Sequence, residues 1–108
     1  MARIFITGSS DGLGQLAAKS LIEHGHKVVL HARNAGRGRD AIKNTPGVEF
    51  VLTGDLSNIE ETKMLAEEVN KFGAFDAVIH NAGVYRASAN DIFAINTLAP
   101  YILSLIHI

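Results

Sequence analysis

The chain has no cysteine, which excludes disulfides and thiolate metal sites. That lack fits a reducing compartment, and a cytoplasmic location is the expectation. Net charge is nearly absent as well. Ten basic and eleven acidic residues leave −1, so nothing points to nucleic acid or an anionic membrane surface as a partner. The histidines His24, His26, His31, His80 and His107 are scattered, with no carboxylate at metal-ligand spacing, and no metal is expected. The opening MARIFITGSS does not read as a secretory leader, because its apolar run is short and a glycine ends it. Long apolar runs are also wanting. The nearest candidate, residues 92–108, is interrupted by Asn96, Pro100, Ser104 and His107 and reads as a buried helix rather than a membrane span. No repeat or low-complexity segment is present.

What is there suits one small domain. The 108 residues are 47% hydrophobic and 19% charged, ordinary values for a globular core. Four short apolar runs, at residues 3–7, 27–32, 48–52 and 75–80, are nearly continuous rather than alternating. Strands buried on both faces of a parallel sheet look like this. Helical patterns lie between them. Leu13, Leu16, Ala17 and Leu21 recur at helical spacing before Gly25. The stretch 57–60, Ser-Asn-Ile-Glu, matches a capping box, and Ile59, Leu65, Val69 and Phe72 follow on one face before Gly73. Residues 34–44 predict a short or frayed helix, since Gly36 and Gly38 lower its propensity. A last helix is predicted from residue 89 or 90 to residue 108. The order β-α-β-α-β-α-β-α implies an α/β fold, a Rossmann-like doubly wound parallel sheet with strand order 3-2-1-4.

Gly8 follows the first strand directly, and Gly12 and Gly14 open the first helix. One glycine permits a sharp turn, one lets the backbone approach a pyrophosphate, and one lets the helix sit close to the sheet. A phosphate there meets the free N–H groups and the positive end of the helix.

The spacing T-G-x-x-x-G-x-G, residues 7–14, resembles that of the short-chain dehydrogenase/reductase family. Three further segments carry the same resemblance in the family's order: Asp55-Leu56 after the third strand, Asn81-Ala82-Gly83 after the fourth, and Asn96 in Ile95-Asn96-Thr97. The resemblance covers essentially the whole chain. It implies that Gly8, Ser9, Ser10, Gly12, Leu13, Gly14, Arg33, Asn34, Asp55, Leu56, Asn81, Ala82 and Gly83 bind a nicotinamide dinucleotide. It implies that Asp55 accepts the adenine amine with Leu56 beside it, and that Asn96 holds a water of a proton relay on a kinked helix. The helix from Ile92 onward is implied to build a subunit interface, so the full-length form is expected to be a homo-oligomer.

Residues 27–39 hold no carboxylate, although an acid at the end of the second strand normally selects NAD. Arg33 stands there instead, and its forked donors suit a 2′-phosphate. Arg37 and Arg39 add charge. NADP is therefore the expected cofactor. NAD stays open, because Asp11 places a carboxylate just before the second glycine.

The family's chemistry requires an upstream serine and a tyrosine followed four residues later by lysine. The two tyrosines, Tyr85 and Tyr101, are followed at that spacing by Ala89 and Leu105. The sequence also stops inside a helical pattern. Residues 1–108 are thus expected to be the N-terminal, cofactor-binding portion of a longer enzyme, inactive alone. The whole enzyme is expected to move hydride between NADP(H) and a carbonyl or alcohol substrate. Two alternatives stand beside this: a non-catalytic dinucleotide-binding or sensing module, and a nucleotide-sugar epimerase or dehydratase of the extended family.

Overall fold

The second, third and fourth strands each begin where a helix stops and a short turn returns the chain to the same end of one sheet. The computed structural model describes residues 1–10, 12–83, 95, 96 and 99–103. Along the chain run β1 (Arg3–Ile6), α1 (Gly12–Glu23), β2 (Lys27–Ala32), α2 (Ala35–Asn44), β3 (Phe50–Thr53), α3 (Ile59–Phe72), β4 (Ala77–Ile79) and a short α4 (Ala99–Leu103). The strands form one four-stranded parallel sheet of order β3-β2-β1-β4. In register, Phe5 stands opposite Val29 on one side and Val78 on the other.

Alternate residues of each strand feed two cores, one on each face. Ile4, Ile6, Val28 and Leu30 pack with Ala18 and Ala41 from α1 and α2. Phe5, Val29 and Leu52 pack with Leu65 and Val69 of α3, with Phe75, and with Ala99 and Leu103 of α4. This is the doubly wound arrangement that the alternation of elements implies. Because all four strands are parallel, the turns after β1, β2, β3 and β4 emerge at one edge, where ligands of open α/β sheets bind.

Several local expectations change. In α1 the leucines at 13 and 16 do not face the sheet: they are 77% and 62% exposed. Gly14 and Ala18 are buried instead. Small residues bring the helix close to the strands, and the large ones are left on the rim. The segment at 34–44 is not frayed but a regular helix, because Asn34 caps it, its Oδ1 accepting from Arg37 N. Gly38 is the close-packing point there, where a Cβ would lie 3.3 Å from Thr53 Cγ2. The cap of α3 is Asn58, which accepts from Glu61 N, one residue later than the capping-box match. Ile59 is 43% exposed, and Thr62 takes the buried place beside Leu65 and Val69. The third strand starts at Phe50 rather than at 48. The predicted final helix over 90–108 lies largely outside the described residues, as does Asp11.

Candidate functional site

The turn after β1 is shaped by glycines that do different work. Gly8 has φ +63°, and a Cβ on it would stand 2.9 Å from Ala82 Cα. Gly14 has still less room: a Cβ there would meet Gly8 O at 2.6 Å, Asn81 Nδ2 at 2.7 Å and Ser9 Cα at 2.9 Å. Gly12, at φ +59°, is the opposite case, since a Cβ would meet nothing within 4 Å among the described residues. The first and third glycines are therefore fixed by protein-to-protein approach. The middle one opens onto free space at the first residue of α1, where backbone N–H groups are unpaired and the helix end is positive.

The turn after β4 is tied to this loop. The Thr7 hydroxyl oxygen accepts from both Asn81 N and Ala82 N at 3.1 Å, and Asn81 Nδ2 donates to Gly8 O at 3.1 Å. Asn81 thus does structural work, and Ala82 closes over Gly8. β1 and β4 are neighbours across the point where the strand order reverses, so these bonds fix the crevice of the sheet. Asn96 comes to the same place. Its Oδ1 would lie 3.6 Å from a Cβ on Gly83, and Ile95 and Asn96 are in a π-helical turn, an irregularity often found at functional sites.

On the other side of the loop stand the residues expected at the adenosine end. Arg33 leaves β2 with a side chain 66% exposed, and its Nε reaches Asp55 Oδ2 at 3.4 Å. Oδ1 of Asp55 accepts from the Ser57 hydroxyl at 2.7 Å and from Ser57 N at 3.0 Å. Burial opposes the Asp55 charge, but these bonds and the Arg33 guanidinium outweigh it and hold the carboxyl below its ordinary range. Asn34 is occupied as the α2 cap. Leu56 is 5% exposed and belongs to the α3-side core. Ser10 lines a cavity with Arg37, Asp40 and Asn44.

The Ser9 side chain turns inward. Its hydroxyl donates to Ile6 O at 2.7 Å and accepts from His31 N at 2.9 Å. Leu13, by contrast, lies exposed on the first turn of α1. Two residues that sequence reasoning did not assign prove central to the shape: Thr7, through its double acceptance, and His31. The His31 ring is buried between the turns after β1 and β3, bonded to Gly8 N and Gly54 O. The signal was available as a lone polar residue inside the apolar run Lys27–Ala32.

The arrangement fits a dinucleotide. Gly12 leaves room at the N-terminus of α1 among the described residues, and Arg33 stands exposed at the end of β2, on the same edge of the sheet. Among the described residues no group of three or more histidine or acidic side chains could hold a metal ion. No described helix is long and apolar enough to cross a membrane.

Comparison with known proteins agrees. The profile of the short chain dehydrogenase family matches residues 2–104. An uncharacterised oxidoreductase of Emericella nidulans is 61% identical over 96% of this chain and 45% of its own length. A short-chain dehydrogenase of Penicillium rubens is 47% identical, over 96% of this chain and 43% of its own length. The chain therefore spans less than half the length of these relatives. A metagenomic short-chain oxidoreductase, solved in complex with NADP, superposes with a TM-score of 0.82 at 28% identity, over 98% of this chain and 54% of that one.

Proposed function

The chain belongs to the short chain dehydrogenase family, and from that premise we propose that it is the dinucleotide-binding part of an oxidoreductase that uses NADP(H) in preference to NAD(H). When bound, the nicotinamide would supply hydride-transfer chemistry toward a carbonyl or alcohol substrate. This chain's own residues do the rest of the holding. The N–H groups at the start of α1 and the gap at Gly12 receive the pyrophosphate. Asp55 and Leu56 flank the adenine. Ala82 and Gly83 leave room beside the nicotinamide end, and Asn96 stands there to orient a water. The acid that protonates the substrate oxygen is expected from a tyrosine-lysine pair, which residues 1–108 do not contain.

The observation that carries the NADP reading is Arg33. It leaves the end of β2 exposed, with no carboxylate between residues 27 and 39, and Arg37 lines the neighbouring cavity with Ser10. Among the described residues Arg33 makes a long contact to Asp55, an interaction worth little at such exposure and easily exchanged for a phosphate. Steady-state kinetics of the full-length protein with both cofactors test the reading. Arg33→Ala should weaken NADPH by about 1.5–3 kcal/mol, the range for a lost charged hydrogen bond, and leave NADH nearly unchanged. A wild-type preference for NADH would sink it.

A further inference from the structure

We propose that His31 is a positioning residue of the dinucleotide site: its neutral imidazole clamps the backbone of the β1–α1 turn to that of the β3–α3 turn, and protonation of the ring releases the glycine loop and lowers cofactor affinity. The inference rests on the dinucleotide reading given above.

The geometry allows one protonation state. Nδ1 lies 2.9 Å from Gly8 N, which donates to it, so Nδ1 carries no proton. Nε2 lies 2.7 Å from Gly54 O, an acceptor, so Nε2 carries the hydrogen. The backbone of the same residue is bound to the same loop: His31 N donates to Ser9 Oγ at 2.9 Å, and Ser9 N donates to His31 O at 3.1 Å. His31 is 4% exposed, and a buried polar group left without its partner is costly. A proton on Nδ1 sets two N–H groups against each other at that distance. One of them has to move. His31 is held by Gly54 O and by both backbone bonds to Ser9, so the repulsion falls on Gly8, whose carbonyl also bounds Gly14 and accepts from Asn81 Nδ2. Displacing Gly8 therefore disturbs the α1 start that receives the phosphates.

Charged groups reach the ring's surroundings from its own strand and from the α3 side: Arg33 at the strand end, Asp55 on the β3–α3 turn, and Glu61 on α3, bonded to Asp55 N; α2 packs on the opposite face, against Val28 and Leu30. The described loop residues Gly8, Ser9 and Ser10 bring none. Burial dominates. It lowers the His31 pKa below the ordinary 6.5, against the Gly54 bond and the Asp55 charge, which favour the cation. The sign follows. With a lowered pKa in the folded state, the unfolded chain binds the proton first, so stability is full above about 6.5 and falls as pH drops toward the folded value. Cofactor affinity falls in the same direction, by at most about tenfold per pH unit below the ring's own pKa.

The test uses the full-length protein. Nitrogen-15 NMR of the His31 ring is followed from about pH 8 to pH 5, alongside NADPH titration by fluorescence. The expected ring is the Nε2–H tautomer, with Nδ1 protonating below 6.5 and NADPH affinity falling in step. His31→Gln, which offers an acceptor and a donor that do not titrate, should bind NADPH with that step removed. Desolvation also lowers the His80 pKa, and the same variant separates the two histidines, because a His80 contribution survives in it. An Nδ1–H tautomer, unchanged affinity across Nδ1 protonation, or an equal pH step in His31→Gln overturns the proposal. If His31→Gln does not fold, the coincidence of the two wild-type titrations decides it. If the wild type binds no NADPH at about pH 8, the dinucleotide reading fails and takes the affinity effect with it, while the tautomer still decides whether the clamp exists.

Discussion

At the scale of single residues, the glycines of the first turn separate two properties that a motif lumps together. A side chain at Gly14 collides with Gly8 O and Ser9 Cα, both backbone atoms, so relief requires moving the loop itself. Overpacking of this kind costs about 1–3 kcal/mol or more. A side chain at Gly12 meets no atom of the described residues within 4 Å, and its φ of +59° is unfavourable, a penalty of about 1–2 kcal/mol. In the full-length protein Gly14→Ala should therefore lower Tm clearly more than Gly12→Ala. Both should lose NADPH binding, Gly14→Ala because the loop is displaced and Gly12→Ala because the methyl occupies the room at the start of α1. Thermal melts beside fluorescence titrations check the contrast. A Gly12→Ala protein that binds NADPH as the wild type does would mean that the gap beside it is not the phosphate site.

At the scale of elements, the sequence was legible where periodicity and strand character agree, and opaque where small residues do the packing. The four strands and their parallel arrangement followed from short, unbroken apolar runs, and β2 from Lys27 to Ala32 was read to the residue. The buried face of α1 was not. Leucine is the natural guess for a core position, but Gly14 and Ala18 are buried and Leu13 and Leu16 exposed, because closeness to the loop mattered more than volume. α2 was undervalued for a related reason: Gly38 lowers helix propensity yet sits against Thr53 and Val51, where a larger residue would press on β3. Within the site, the glycine loop and Arg33 were singled out by type and spacing, and Asp55 by the family resemblance. Thr7 and His31 did not, since their roles depend on bonds across 74 and 23 positions of chain. Because propensity alone does not sustain α2, its cap should matter. Asn34→Ala removes the acceptor for Arg37 N and should cost about 1 kcal/mol, read as a drop in denaturation midpoint with an unchanged slope. Full stability in that variant would show that packing of Ala41 and Gly38 suffices.

At the scale of the whole molecule, both cores are closed: Phe5, Val29, Leu65 and Val69 on one face and Ile6, Val28 and Leu30 on the other are buried. The α1–α2 face is covered by two helices of 12 and 10 residues. The other face has α3 and, beyond it, the 5-residue α4. β4 pairs with β1 on one side, and among the described residues no strand pairs with its other edge; its last residue, Ile79, is 38% exposed. Leu13 and Leu16 add an apolar rim on α1. An open edge strand is a template for pairing with another chain, and contiguous apolar surface promotes association. The relatives described above run to more than twice this length, and the additional chain is what we expect to cover these surfaces. A polypeptide of residues 1–108 expressed alone should therefore self-associate at concentrations where the full-length protein keeps one defined size. It should also show no carbonyl reduction, because no tyrosine is followed four residues later by lysine, and a proton donor of that kind contributes about 100- to 10,000-fold in rate. Weak NADPH binding should persist, since the glycine loop, His31 and Arg33 are all present. Light scattering, a reductase assay and a fluorescence titration on the same preparation decide the three points separately. A monodisperse monomer with turnover above background would refute the first two, and would require an acid other than the expected tyrosine within residues 1–108.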